Sequence, residues 1–199
     1  MVDSEPLWFA VQRDFVRARG SEWTPLLASR CVGGGLPNAL RVMERELGFA
    51  IDLPADMAHL AATFVARVGD LALKPGCLEL IEAAGSRGLP RAVASSSTRA
   101  LVDAVLSRFG LDETFQAVVT GECVARAKPW PDIFLEASAR LGTAPADCVV
   151  LEDSLAGVRA ARSAGMTVIA VPEQDPESFE QIADAVVGDL HAARALLGI

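Results

Sequence analysis

Apolar positions along the chain follow two rhythms. Up to about Asp70 they recur only at helical spacing. Trp8, Val11, Phe15 and Val16 mark one face of a first helix, with Asp3 or Ser4 as its cap, Pro6 tolerated in its first turn and Gly20 as its stop. Short helical stretches at 25–30, 36–47 and 54–68 complete a small bundle, with Gly48 closing the second of these. The run Gly33, Gly34 and Gly35 reads as a flexible loop; no G-K-[ST] follows it, so it is no phosphate-binding P-loop.

From Leu73 onward short apolar runs alternate with helices. Strands are predicted at 91–94, 117–119, 148–151, 167–171 and 184–187. Helices are predicted at 75–87, 99–109, 131–141, 155–164 and 190–197, four of them stopped by Gly88, Gly110, Gly142 and Gly165. Strands alternating with helices of this length build βαβ units, and near-continuous apolar strands suit a sheet covered on both faces. The expected fold class is therefore α/β: a Rossmann-like, doubly wound parallel sheet over 71–199 with a small α-helical cap over 1–70. The hinge lies near 70–76, where Pro75 and Gly76 break the pattern.

Composition narrows the function. The chain has 199 residues, 51 % hydrophobic and 22 % charged, which excludes disorder and low-complexity classes. No apolar run reaches the about 18–20 residues of a membrane span. With 18 basic and 26 acidic residues the net charge is −8, so neither nucleic acid nor an anionic membrane is an expected partner. Cys31, Cys77, Cys123 and Cys148 form no C-x-x-C pair, and His59 and His191 are the two histidines; a cytoplasmic setting fits better than a zinc or disulfide framework. The N-terminus has no signal-peptide pattern.

In doubly wound sheets ligands bind beyond the carboxyl ends of the strands, and three strand ends are polar. Ser95, Ser96 and Ser97 precede a helix, where hydroxyls and free N–H groups suit a phosphate oxygen; the alternative is that a serine or Thr98 caps the helix. Lys128 sits in Ala127-Lys128-Pro129-Trp130-Pro131-Asp132, stiffened by two prolines, with Asp132 placed to cap the next helix; the lysine can neutralise a phosphoryl group or be an exposed turn residue. The adjacent carboxylates Glu152 and Asp153 suit Mg²⁺; the alternative is that Asp153 or Ser154 caps the helix predicted at 155–164. Helix caps alone do not account for the lysine. Together the three ends describe a pocket for a phosphorylated ligand and Mg²⁺.

These motifs resemble the haloacid dehalogenase superfamily, in its branch of sugar-phosphate phosphatases and β-phosphoglucomutase-like proteins. Val93-Ala94-Ser95-Ser96-Ser97 is similar to the family's second motif. Residues Ala127 to Phe134 resemble its third, G-K-P-x-P-D-x-F, and Leu151-Glu152-Asp153-Ser154-Leu155-Ala156-Gly157 its fourth. The resemblance implies an Mg²⁺-dependent phosphatase in which an aspartate attacks phosphorus and water hydrolyses the aspartyl-phosphate. It implies that Ser95 and Lys128 act in catalysis, that Ser96, Ser97, Glu5 and Trp8 contact substrate, and that Glu152 and Asp153 hold the metal. The expected partner is a small phosphorylated metabolite, a sugar or sugar-alcohol phosphate, bound by a monomer.

The family's first motif, h-h-h-h-D-x-D-G-x-h-x-D-S-E, is matched only in its tail by Val2-Asp3-Ser4-Glu5, and no D-x-D stands elsewhere. The nucleophile is thus expected upstream of Met1 and the chain as given is expected to be inactive. The missing strand should separate the 91–94 strand from the 148–151 strand and leave unpaired edges. Two explanations are open: an active enzyme whose start lies upstream, which we favour, or a phosphate-ligand-binding relative without turnover. A phosphomutase is the weaker reading, because the mutases carry a histidine where Trp8 stands and an arginine near Leu36. Trp8 packs over a sugar or belongs to the core of the cap.

Overall fold

The computed structural model describes residues 1–31 and 35–199; Gly33 and Gly34 of the glycine run lie outside the described residues. The chain divides into two compact units: residues 2–72, and Met1 with residues 73–199.

The first unit is helical: α1 (Glu5–Ala18), α2 (Pro25–Cys31), α3 (Gly35–Leu47) and α4 (Leu53–Ala66). α4 packs on α1 and α3, and α3 on α2. The periodicity of α1 is realised as expected, with Val11, Phe15 and Val16 buried against the core that also holds Leu40, Met43 and Leu60. Each such side chain contributes roughly 1.5–3 kcal/mol by leaving water. Ser4 occupies the cap position of α1 but makes no side-chain cap bond, whereas Asp52 caps α4 by accepting from Ala55 N at 3.2 Å. Arg19 bonds Asp56 at 2.6 Å and lies over the Phe15 ring.

The second unit runs α5 (Cys77–Ser86), β1 (Ala92–Ser95), α6 (Arg99–Arg108), β2 (Ala117–Thr120), α7 (Asp132–Leu141), β3 (Val149–Glu152), α8 (Leu155–Ser163), β4 (Thr167–Ala170), α9 (Glu177–Glu180), β5 (Ala185–Val186) and α10 (Leu190–Leu197). Element boundaries differ from the expected ones by one or two residues, and the short α9 had no counterpart among them. The six glycines read as helix stops all have positive φ, between 65° and 77°. At Gly142, the C-cap of α7, that conformation lets its N–H bond Ala139 O, a turn a side chain would strain.

Among the described residues all strand pairs are parallel, but they form two sheets, β1–β2 and β3–β4–β5. Ala92 to Ser95 stand opposite Ala117 to Thr120, Val149 to Glu152 opposite Thr167 to Ala170, and Ile169 opposite Ala185. β1 and β3 belong to different sheets, so the separation expected for these two strands is observed. The apolar core nevertheless runs beneath both sheets. Val119 from β2, Val150 from β3 and Val168 from β4 share one cluster with Phe134, Val158 and Phe179. Because side chains alternate along a strand, Val93, Val118 and Leu151 point the other way, into clusters built with α6, α5 and α10. Helices thus cover both faces, and the two sheets share their packing while their backbone ladders stay apart. No helix among the described residues is long and apolar enough to cross a membrane.

Candidate functional site

β1 delivers the serines. Ser95 Oγ accepts from Ser97 N at 3.2 Å, and Gly121, just past β2, donates to Ser97 O at 3.2 Å. A Cβ on Gly121 would stand 2.7 Å from Ser96 O, so the close approach of the two strand ends requires glycine there. Thr98 holds the cap position of α6 but makes no side-chain cap bond. Arg99 N instead donates to Glu122 Oε2 at 2.6 Å. The helix-cap alternative for the serine loop is therefore taken over by a carboxylate, and the serine hydroxyls are not spent on the helix.

Lys128 is nearly buried, with 10 % of its side chain exposed. Its Nζ lies 3.3 Å from Ala94 O of β1 and 3.3 Å from Glu152 Oε1 of β3, and 4.8 Å from the centroid of the Phe134 ring. One ammonium thus joins the two sheets, and the reading of Lys128 as an exposed turn residue is set aside. The loop around it is held by Arg126, whose guanidinium bonds both oxygens of Asp132 at 3.1 and 2.9 Å and lies over the exposed Trp130 ring. Asp132 is consequently the first residue of α7, paired to Arg126, and not the cap expected for it. The Lys128–Pro129 bond is cis.

β3 delivers the carboxylates. Glu152 Oε1 accepts from Lys128 and, at 2.7 Å, from Ser154 Oγ. Ser154 caps α8 by accepting from Gly157 N at 3.0 Å, so capping falls to the serine and leaves Asp153 for other work. Asp153 Oδ2 accepts from Lys74 Nζ at 2.7 Å, and the same ammonium lies 2.8 Å from Glu173 Oε1. Burial of Asp153 disfavours its charge, but the Lys74 hydrogen bond and charge outweigh this and hold its pKa below the ordinary carboxylate value. For Lys74 burial likewise opposes ionisation, and the two carboxylates overcome it, leaving its pKa above the usual lysine value.

Ser95, Lys128, Glu152 and Asp153 therefore come together at the strand ends, with Ser96 and Ser97 in the loop that continues β1. Glu5 and Trp8 belong to the helical unit, where Trp8 stacks on Phe64 with ring centroids 4.4 Å apart. Lys74 and Glu173 are site residues that none of the sequence motifs marks. Glu173 lies three residues past the end of β4, and Lys74 immediately precedes Pro75-Gly76. A cleft of about 520 Å³ lined by Pro129, Trp130, Arg159, Arg162, Ser163, Gln181 and Ile182 includes none of these groups.

Mg²⁺ takes one or two carboxylates plus waters and phosphate oxygens. Among the described residues no group of three or more potential ligands is found. Glu152 and Asp153 each keep one oxygen, Oε2 and Oδ1, with no protein partner among the described residues. Two hard, adjacent, half-engaged carboxylates fit such a cation as a partial donor set.

A profile of haloacid dehalogenase-like hydrolases matches residues 5–165. The chain belongs to this family. It is 29 % identical to hexitol phosphatase B of Escherichia coli K12 over 219 aligned residues, covering all of this chain and 92 % of that protein. It is 32 % identical over 182 residues to the bifunctional riboflavin kinase/FMN phosphatase of Arabidopsis thaliana, covering 90 % of this chain and 48 % of that one. The chain thus spans about half the length of some of the curated relatives it matches. The crystal structure of CbbY from Rhodobacter sphaeroides in complex with phosphate superposes with a TM-score of 0.83 at 27 % identity, over 96 % of this chain and 90 % of that one. These neighbours agree with the α/β fold expected from the strand–helix alternation.

Proposed function

We propose that this family member is a phosphatase for a small phosphorylated metabolite, a sugar or sugar-alcohol phosphate, assisted by Mg²⁺. The observation that carries the reading is Lys128: a nearly buried ammonium held between the carbonyl that precedes Ser95 and the Glu152 carboxylate. The hexitol and FMN phosphatases among its relatives, and the phosphate bound to CbbY, support the class of ligand.

In this reading Ser95 Oγ and the N–H groups of the serine loop bind phosphoryl oxygens, with Ser96 and Ser97 extending the loop toward substrate. Lys128 places a positive charge beside the same oxygens and is itself oriented by Ala94 O, Glu152 and the Phe134 ring. Glu152 and Asp153 would hold Mg²⁺, which when bound would supply charge neutralisation for the phosphoryl group. The family resemblance extends the reading to Glu5 and Trp8 as residues that contact substrate. No D-x-D pair stands in residues 1–199, so the reading takes the attacking carboxylate from upstream of Met1. The unjoined strands β1 and β3 support that placement.

The test compares residues 1–199 with a protein extended by the codons upstream. The extended protein is expected to release phosphate from p-nitrophenyl phosphate with Mg²⁺. The shorter chain is expected to bind inorganic phosphate and sugar phosphates, seen as thermal stabilisation, without turnover. Lys128→Met removes both responses. No turnover in the extended protein, or phosphate binding untouched by Lys128→Met, would sink the reading.

A further inference from the structure

Only two of the 18 basic residues are lysines, Lys74 and Lys128, and both stand on the carboxylates of the site. Every other ion pair among the described residues uses arginine. The difference is chemical. A guanidinium grips a carboxylate as a planar fork, whereas an ammonium is a compact point charge on a flexible stem that can let go and turn. Lys74 holds Asp153 through one oxygen, Oδ2, at 2.7 Å, and has a second carboxylate, Glu173, at 2.8 Å. Its own side chain is 13 % exposed, while those of Asp153 and Glu173 are 48 % and 42 % exposed. The ammonium is therefore tucked beneath two carboxylates that solvent and ions can reach.

We propose that Lys74 is a built-in counter-ion for Asp153 that competes with the divalent cation, moving wholly onto Glu173 when the cation takes Asp153. This rests on the reading of Asp153 as a cation ligand. Glu173 supplies the alternative seat that makes release of the ammonium inexpensive, since its charge stays paired throughout. Lys74 thereby sets how tightly the site holds a cation, and an empty site never leaves Asp153 unneutralised.

The test uses residues 1–199, Mn²⁺ as the binding probe and acetylation of amines read by mass spectrometry, in which the two lysines are resolved individually. Saturating Mg²⁺ or Mn²⁺ is expected to raise acetylation of Lys74 several-fold, a measurement that needs no variant. Lys74→Met is expected to bind Mn²⁺ about tenfold tighter, because a neighbouring positive charge and a competitor leave together. Lys74→Arg, with its firmer grip, is expected to bind more weakly than the unaltered protein. Binding seen only in Lys74→Met supports the proposal in its strong form. If the unaltered protein binds Mn²⁺ and Asp153→Asn abolishes it, but Lys74 acetylation stays constant and Lys74→Met gains nothing, the competition is overturned and the cation reading stands. If neither the unaltered protein nor Lys74→Met binds Mn²⁺, or Asp153→Asn binds as well as either, the cation reading falls and this proposal with it.

Discussion

In the two-stranded sheet β1 ends on Ser95 and β2 on Thr120, and the serine loop and Gly121 come next. In the three-stranded sheet β3 ends on Glu152, with Asp153 beside it, and β4 leads through Val171 and Pro172 to Glu173. Both sheets are parallel and helix-covered, so backbone architecture does not tell them apart. What differs is the chemistry at the carboxyl ends: hydroxyls and amides on one side, carboxylates on the other. Lys128 reaches both. Elsewhere a parallel sheet would join its halves with a ladder of N–H···O bonds; here a side-chain ammonium and a shared apolar core carry the connection. The comparison teaches that hydroxyls and amides gather on one side of the site and carboxylates on the other, with the lysine as their common member; in the proposed function the first is the anion side and the second the cation side.

Two glycines offer the sharpest way to break this comparison, because each protects one side. A Cβ on Gly157 would land on the Glu152 carboxylate, which is pinned by Lys128 and Ser154 and has little room to retreat. Alanine is the better helix former by about 1 kcal/mol, yet displacing Glu152 disrupts two hydrogen bonds to a charged group. Gly157→Ala is expected to lose about 2 kcal/mol net in urea unfolding and to weaken Mn²⁺ binding while inorganic phosphate binding persists. Gly121→Ala pushes instead against the Ser96 carbonyl, 2.7 Å from the new methyl, and is expected to weaken phosphate binding while sparing Mn²⁺. Loss of both ligands in both variants would show that the two sides are not separable.

How far this was legible in the sequence depends on the range of the interaction. Strand–helix alternation is a local signal, and it located the strands within a residue or two, as it did the helix stops at Gly142 and Gly165. The lysine loop and the Glu152-Asp153 pair were legible because their residue types are unusual at strand ends. Cap assignments fared worse. Thr98 holds the cap position of α6 without a side-chain cap bond and Asp132 lies one residue inside α7, because Glu122 and Arg126, brought in by the fold, take the partners instead. Lys74 and Glu173 were missed because their pairing joins residues 99 positions apart with no local pattern. The sole sequence hint was the scarcity of lysine in a chain that otherwise uses arginine.

A smaller effect separates the sides by pH. Asp184, just before β5, accepts from Val168 N at 2.8 Å and pairs with Arg162, tying β5 to β4. The backbone N–H first, and the Arg162 contact besides, hold its pKa below the ordinary carboxylate value. A carboxyl whose folded pKa is depressed contributes stability above its unfolded value, about 3.9, and loses it as pH falls through the folded one. Asp184→Asn is therefore expected to be less stable than the unaltered protein at neutral pH, with the difference shrinking below about pH 4. Urea midpoints across that range check it; a difference that stays constant into acid would remove the ionic role.

The smallest expected effect concerns the cysteines, one beside each sheet. Cys123, just past β2, lies 3.5 Å from both Thr120 N and Thr120 Oγ1, and these contacts, with Arg140 nearby, lower its thiol pKa. Cys148, just before β3, donates to Ala144 O and has its pKa raised by burial and by Asp147. Since the thiolate is the nucleophile, iodoacetamide at neutral pH is expected to modify Cys123 first and Cys148 several-fold later. Cys77 and Cys31 are slower still, the Cys31 thiol being pushed up to about 11 by burial and Glu46. Arg140→Gln slows Cys123 without touching Cys148, because the cation that favours the thiolate sits on the α7 side alone. Equal rates at Cys123 and Cys148 would mean that the strand ends do not impose different electrostatic surroundings, and the contrast between the two sheets would be confined to their charged residues.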